Sequence, residues 1–398
     1  MGDVPGGPRS RRIRRPVAFG VVAYAFLVTM LGTTMPTPLY PLYQARMGFS
    51  GFVVTIVFAT YAVGVIAALL LCGGLSDQIG RRPVLLPGVL LSASSAVVFL
   101  FAGGVGALLV GRVLSGLSAG VFTGTATATL LDLVPAYRRA RAGLVAAAVN
   151  MGGLGLGPPL AGILAQYAPA PLHLCFVVDL ALLVPAAIGV WLIPEPIATR
   201  GPMWLRPQRL RVPTEVRGTF VRAAIAGFAG FAVLGLFTAV SPSFLGQVLH
   251  EPNHAVVGLV VFSLFLASTV GQVLARYVSE RRALLIGCLT LAAGVAIVGV
   301  SLWQARLELL VLGAVVAGLG QGSSFRAGLV AVGSASPPEH RGEVSSSLFV
   351  VIYVAISLPV IGVGAASEAF GLVPAGIVFA AAVAVLALIG FVSLLRRR

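Results

Sequence analysis

The chain has 398 residues, of which 58% are hydrophobic and 10% charged, with a mean hydropathy of +1.01. A soluble domain carries about 25% charged residues, so a soluble globular protein is excluded. Yet the formal net charge is +15 and all 27 basic residues are arginine; membrane topology is the first explanation to test, nucleic-acid binding the second.

A membrane-spanning helix needs about 20 mostly apolar residues. Segment 1–16 is basic and leads into the first apolar run. That run is too long for a signal peptide and lacks a small-residue cleavage site near its middle, so it reads as an uncleaved span. Twelve such runs, taken as spans 1 to 12, lie near 17–43, 51–72, 83–103, 107–133, 143–167, 172–193, 219–247, 255–277, 284–304, 308–333, 344–366 and 373–393. β-Barrel strands would alternate apolar and polar residues over about ten positions. These runs are continuous, which predicts helices. Residues 194–218 are rich in Pro and Arg and divide the chain into bundles 17–193 and 219–393, with a basic tail at 394–398.

Of the 27 arginines, 21 fall on one face: both tails, the 194–218 linker, and the connections at 81–82, 138–141, 281–282 and 341. The opposite connections hold only Arg46 and Arg306, and Arg112, Arg222, Arg276 and Arg326 lie inside spans or at their ends. The positive-inside rule places both termini and the linker in the cytoplasm. The charge then reports topology and contact with anionic lipid, and no nucleic-acid partner is expected.

The halves repeat. LSDQIGRRPVL at 75–85 is echoed by LARYVSERRALL at 274–285, GRVLSGLSAG at 111–120 by GAVVAGLGQG at 313–322, and LGPPLAG at 156–162 by LPVIGVG at 358–364. Parallel six-span repeats put a binding site between the halves near the bilayer midplane.

Twelve spans in two repeats, with GGLSDQIGRRPVL between spans 2 and 3, resemble the major facilitator superfamily. That family's loop motif is matched at Gly73, Leu75, Ser76, Asp77, Gly80, Arg81 and Arg82, and departed from at Gln78, where a basic residue is usual. The resemblance implies an all-α membrane protein of two six-helix pseudo-repeats. It also implies a cytoplasmic gate, formed by Gly73, Asp77, Gly80, Arg81 and Arg82, that latches the outward-open state. Asp77 can pair with a nearby arginine or a helix N-terminus, and the alternative is anchoring by Arg81 and Arg82 alone. Asp132 and Arg139, beside Pro135, are expected at the same gate.

Arg112 lies about five residues into span 4. An arginine there costs about 2.5–3.5 kcal/mol to insert, so a cavity or partner should hold it. Its setting resembles the family's span-4 motif, which in proton-coupled members lies near the substrate and proton path. The alternative is a snorkelling side chain. Span 5 matches the family's antiporter motif, chiefly that of drug exporters, at Gly153, Gly157, Pro158, Ala161 and Gly162, with an upstream glycine missing at Leu144. Pro158 and Pro159 remove ladder hydrogen bonds and permit bending, and the glycines should form a smooth face against the other half.

Asp179 is the one carboxylate well inside a span, which makes it a proton-carrier candidate; span 1, where many drug antiporters carry an acid, has none. Thr33, Tyr40, Asn150, Gln272, Gln321, Arg326 and Tyr353 are candidates for the substrate cavity, each open to the alternative of an interhelical hydrogen bond or, for Arg326, an interfacial role. Cys72, Cys175 and Cys288 and the four histidines form no ligand cluster, so no metal, cofactor or enzymatic site is expected, and a Walker motif is impossible without lysine. The resulting expectation is a monomeric bacterial cell-membrane transporter that exports a small amphipathic molecule in exchange for protons. A proton-coupled importer and a non-transporting receptor or scaffold are the competing readings.

Overall fold

In the bilayer core no water can satisfy exposed peptide groups, so a helix is the economical way across. The computed structural model describes residues 14–196, 208 and 210–396. Among them every regular element is helical. Twelve are long and apolar enough to cross a membrane: Arg15–Met47, Gly51–Cys72, Arg82–Leu100, Val105–Asp132, Ala136–Tyr167 and Pro171–Leu192 in the first half. The second half holds Thr214–Ala239, His254–Tyr277, Glu280–Gln304, Leu307–Ala335, Pro338–Phe370 and Leu372–Leu395. These are spans 1 to 12.

Most bounds fall within a few residues of the apolar runs. Span 7 starts at Thr214, inside the segment read as linker, and a separate short helix, Ser241–Gln247, follows it. Pro213 provides the stop, since proline suits the residue before or at the start of a helix. Span 5 begins its α-helix at Arg139. Of the arginines assigned to the basic face, Arg9, Arg11, Arg12, Arg200, Arg206, Arg209, Arg397 and Arg398 lie outside the described residues.

The internal repeat has a packing counterpart. Gly116 and Gly120 of span 4 lie directly against the span 2 backbone, at Tyr61 and Val65. Gly318 and Gly322 of span 10 lie against span 8, at Leu264 and Ser268. Likewise Gly111 faces the Phe99 ring of span 3, and Gly313 faces Val298 of span 9. Equivalent positions of the two sequence echoes thus do equivalent work, as small residues that let helix backbones approach closely.

The halves meet along two pairs of helices, span 5 with span 8 and span 2 with span 11. At the end away from the arginine-rich face, Gly162 rests on the His254 carbonyl, and Gly364 on the Thr55 side chain. There too the Gln166 side chain accepts from the His254 N–H at 2.9 Å, and Asn253 Nδ2 donates to the Tyr167 hydroxyl at 3.1 Å.

A Cβ at Gly116 would fall on the Tyr61 carbonyl, whereas one at Gly124 would meet open space. Gly116→Val is therefore expected to destabilise the detergent-solubilised protein by about 1–3 kcal/mol, read as a lowered melting temperature. Gly124→Ala should leave that temperature unchanged.

Candidate functional site

Span 1 is interrupted where its prolines cluster. Its first helix ends at Thr34, a 3-10 turn covers Thr37–Leu39, and a second helix runs Tyr40–Met47. The last carbonyls of a helix lack intrahelical partners, and Arg112 uses one of them. Its Nη1 donates to the Thr33 carbonyl at 2.6 Å, and Nη2 lies 3.5 Å from the Phe58 carbonyl. The guanidinium carbon sits 4.7 Å from the Tyr61 ring centroid and 5.5 Å from that of Phe58, close enough for cation–π attraction. Arg112 is 2% exposed. Its Nε has no partner, and it makes no ion pair with a described carboxylate. It does not snorkel.

Asp179 of span 6 meets the same end of the first helix of span 1. This carboxylate is also 2% exposed and lies against Gly32, where a Cβ would come within 2.7 Å of Oδ2. Oδ1 has no hydrogen-bond partner. The two intramembrane charges thus meet consecutive residues, Gly32 and Thr33, at the end of one helix.

The other cavity candidates divide. Tyr353 of span 11 joins the centre, its ring edge-on to Tyr61 at 6.3 Å. Thr33 contributes its carbonyl, while its hydroxyl bonds back to Met30 at 2.7 Å. Tyr40 is buried below the break in span 1. Gln321 packs inside the second half, accepting from Ser268 Oγ at 2.5 Å and lying against Gly230. Gln272 is buried on span 8, and the Nε2 of each glutamine is without a partner. Asn150 and Arg326 are half-buried.

The span-5 motif divides its glycines between two neighbours. Gly153 and Gly157 lie on span 1, against the carbonyls of Leu27 and Leu31. Gly155, Pro158 and Gly162 meet span 8, at Phe265, Gly258 and His254. The expectation that all the motif glycines face the other half is corrected accordingly: glycines four apart share one helix face, and Gly153 and Gly157 share the one turned to span 1. Both prolines sit within a continuous helix. Pro158 leaves the Leu154 carbonyl, four residues earlier, without its ladder N–H. The Thr34 hydroxyl supplies the missing bond at 2.7 Å.

At the arginine-rich face, Arg81 gathers the loop motif. Its Nη1 pairs with Asp77 at 2.7 Å, its Nε with Asp132 at 3.0 Å, and Nη1 also reaches Ser76 Oγ at 2.7 Å. Arg82 turns away over Trp191, and Arg139 is exposed; neither joins this cluster. All three ion-pair members belong to the first half. Gly73 touches the Gln208 side chain.

Two residues that the sequence reading passed over matter here. Glu195, just past span 6, accepts the backbone N–H groups of Arg81 at 2.8 Å and Arg82 at 3.1 Å. An anion on the bare N–H groups of a helix start is a favourable arrangement. Gly80, at φ 107°, brings the backbone to it; a Cβ there would lie 2.7 Å from Glu195 Oε2. Gln208 of the linker ties the halves: its N–H donates to Leu70 of span 2 at 2.7 Å, and its Oε1 accepts from Ser346 Oγ of span 11 at 2.9 Å. Glu195 gains its role from the close packing of spans 3 and 6, which no local sequence pattern shows. Nothing in the local sequence marks Gln208.

A family model described as Major Facilitator Superfamily matches residues 22–283. The chain belongs to that superfamily. With twelve helices long and apolar enough to cross a membrane, it is a multi-pass membrane protein. Among curated relatives it is 26% identical over 147 residues to Quinolone resistance protein NorA of Staphylococcus aureus, a match covering 37% of this chain and 38% of that protein. It is 30% identical over 165 residues to an uncharacterized MFS-type transporter, MT1926, of Mycobacterium tuberculosis (41% of this chain, 23% of that one). The matches thus span well under half of these relatives. A bacterial homolog of the human lysosomal transporter Spinster, solved inward-facing and unoccupied, has a TM-score of 0.72 at 15% identity, over 98% of this chain and 99% of that one. A POT family transporter bound to a thioalcohol-conjugated peptide gives 0.76 at 13% identity, over 95% of each chain.

Thr34→Val would leave the Leu154 carbonyl buried without a donor. We expect a loss of about 1 kcal/mol or more, seen as a lower melting temperature, and near-complete recovery in Thr34→Ser.

Proposed function

We propose that this transporter exports a small amphipathic organic molecule from the cytoplasm of a bacterial cell in exchange for protons. In this reading the arginine-rich face is cytoplasmic and the halves rock about the Arg112 region. The observation that carries the reading is the buried Arg112, held by two backbone carbonyls and two aromatic faces with no carboxylate to neutralise it. An intramembrane cation of this kind is a functional site by default. Aromatic neighbours from both halves, Tyr61 and Tyr353, suit an amphipathic substrate. The partial likeness to a quinolone resistance protein supports export and suggests the first compound to try.

Asp179 is the proton carrier in this scheme. An ionised carboxylate at its position would have neither a cation nor an N–H to offset lost hydration, so proton uptake and release there would act directly on span 1. The titratable groups on its own helix and the helices packed against it are His173 and Cys175 of span 6, Tyr24, Tyr40 and Tyr43 of span 1, with Arg15 and Arg46 at that span's two ends, and Tyr167 of span 5, with Arg112 beyond Thr33. The charged groups of spans 3 and 5, Arg82, Arg139 and Arg141, sit at the arginine-rich ends of those helices. Asp77, Arg81 and Asp132 would steady the cytoplasmic end of the first half, and Gly157 and Pro158 would set the bend of span 5.

The test is fluoroquinolone flux in proteoliposomes with an imposed pH gradient. Uptake into vesicles acidic inside, with counterflow of protons, supports the reading; accumulation along the proton gradient would mark an importer. Arg112→Ala should abolish coupled flux at near-normal expression, and Arg112→Lys should not restore it, because one ammonium cannot span two carbonyls and two rings as the guanidinium does. Asp179→Asn should flatten the pH dependence of transport; an unchanged profile would remove Asp179 as carrier.

A further inference from the structure

A cavity of about 660 Å³ opens on the arginine-rich face of the first half, between the start of span 1, the end of span 4 and the start of span 5. Its charged lining is Arg15, Arg138 and Arg141, and its apolar wall includes Phe19, Leu133 and Val145. The three guanidinium groups are exposed at helix starts, the level at which a span leaves the hydrocarbon. None makes an ion pair with a described residue; Arg138 stacks on Tyr137. The neighbouring acid, Asp132, is engaged by Arg81 at 3.0 Å. Among the described residues no carboxylate lines the pocket.

A second basic cavity, of about 450 Å³ in the other half, makes the contrast. It holds Arg222 and Arg281 together with Glu280, so its charge is partly offset within its own wall. The described lining of the first cavity has three cations, no anion and an apolar floor. A guanidinium binds a phosphate through paired N–H bonds and holds its charge at any physiological pH. Inorganic phosphate would satisfy the arginines and leave the apolar wall wet. A phospholipid from the adjoining leaflet satisfies both, with its phosphate on the arginines and its glycerol and first methylenes along Phe19, Leu133 and Val145. Basic pockets between membrane helices are suited to anionic headgroups.

We propose that the cavity between spans 1, 4 and 5 is a binding site for one anionic glycerophospholipid, held through its phosphate by Arg15, Arg138 and Arg141. The site is separate from the Arg112 centre and does not depend on the transport reading.

The experiment titrates purified full-length protein in neutral detergent with dioctanoyl-phosphatidylglycerol, dioctanoyl-phosphatidylcholine and inorganic phosphate, following melting temperature and lipid retention by native mass spectrometry. Saturable stabilisation and retention are expected with phosphatidylglycerol and not with the other two. The triple variant R15Q/R138Q/R141Q should weaken phosphatidylglycerol binding by about ten-fold or more. A control neutralising three exposed arginines elsewhere on the same face, R217Q/R282Q/R396Q, should stay within about two-fold of the parent. Should the triple variant fail to fold, Val145→Glu keeps every arginine, adds an anion to the wall, and should abolish the retention. Equal weakening by the two triple variants would show diffuse surface charge and overturn the proposal. So would stabilisation by phosphatidylcholine as strong as by phosphatidylglycerol, or full competition by inorganic phosphate.

Discussion

Helices in a bilayer gain little from burying apolar side chains against one another, because lipid is as apolar as leucine. What holds this molecule together is backbone proximity at small residues. Gly116 and Gly120 against span 2, and Gly318 and Gly322 against span 8, are the joints on which each half is assembled. The same constraint governs the seam, where Gly162 and Gly258 bring spans 5 and 8 together across the halves. Such joints are shallow and carry few hydrogen bonds. That is the kind of contact along which packed helices can slide or rock without exposing unsatisfied peptide groups.

Where the ladder of helical hydrogen bonds is broken, side chains repair it, and the repairs fall in one place. The interruption of span 1 leaves carbonyls free, and Arg112 takes one of them. Pro158 frees another, and Thr34 takes that. The centre of the first half is thus a set of irregular backbone positions held by polar side chains. Irregular backbone at membrane depth is tolerated when it is buried in protein or lines a cavity. Arg112 and Asp179 both meet this irregular point, at Thr33 and Gly32.

Much of the architecture was legible because its causes are local or repetitive. Run length gave the twelve helices, and the echo of GRVLSGLSAG in GAVVAGLGQG carried over to equivalent helix contacts. Arg112 and Asp179 stood out because a charge in an apolar run is conspicuous. What was not legible depends on pairings between distant segments. Which motif glycines of span 5 face span 1 is decided by helix rotation, which an all-round apolar sequence does not specify. Gln321 looked like a cavity residue, yet packs against Gly230 and Ser268 within its own half. Gln208, which reaches both Leu70 and Ser346, is one polar residue among many in a linker, and only the fold gives it neighbours.

The cap that Glu195 places on Arg81 and Arg82 has a consequence for how such sequences can change. The carboxylate binds peptide N–H groups 113 and 114 positions earlier in the chain, so the side chains of those two arginines are free to vary without disturbing it. Residue 80 is not free, because any side chain there would be strained by the backbone at φ 107° and would collide with the carboxylate. Across homologues, a lineage that keeps the acid must therefore keep the glycine, while one that loses the acid is still held to glycine by the backbone at φ 107°.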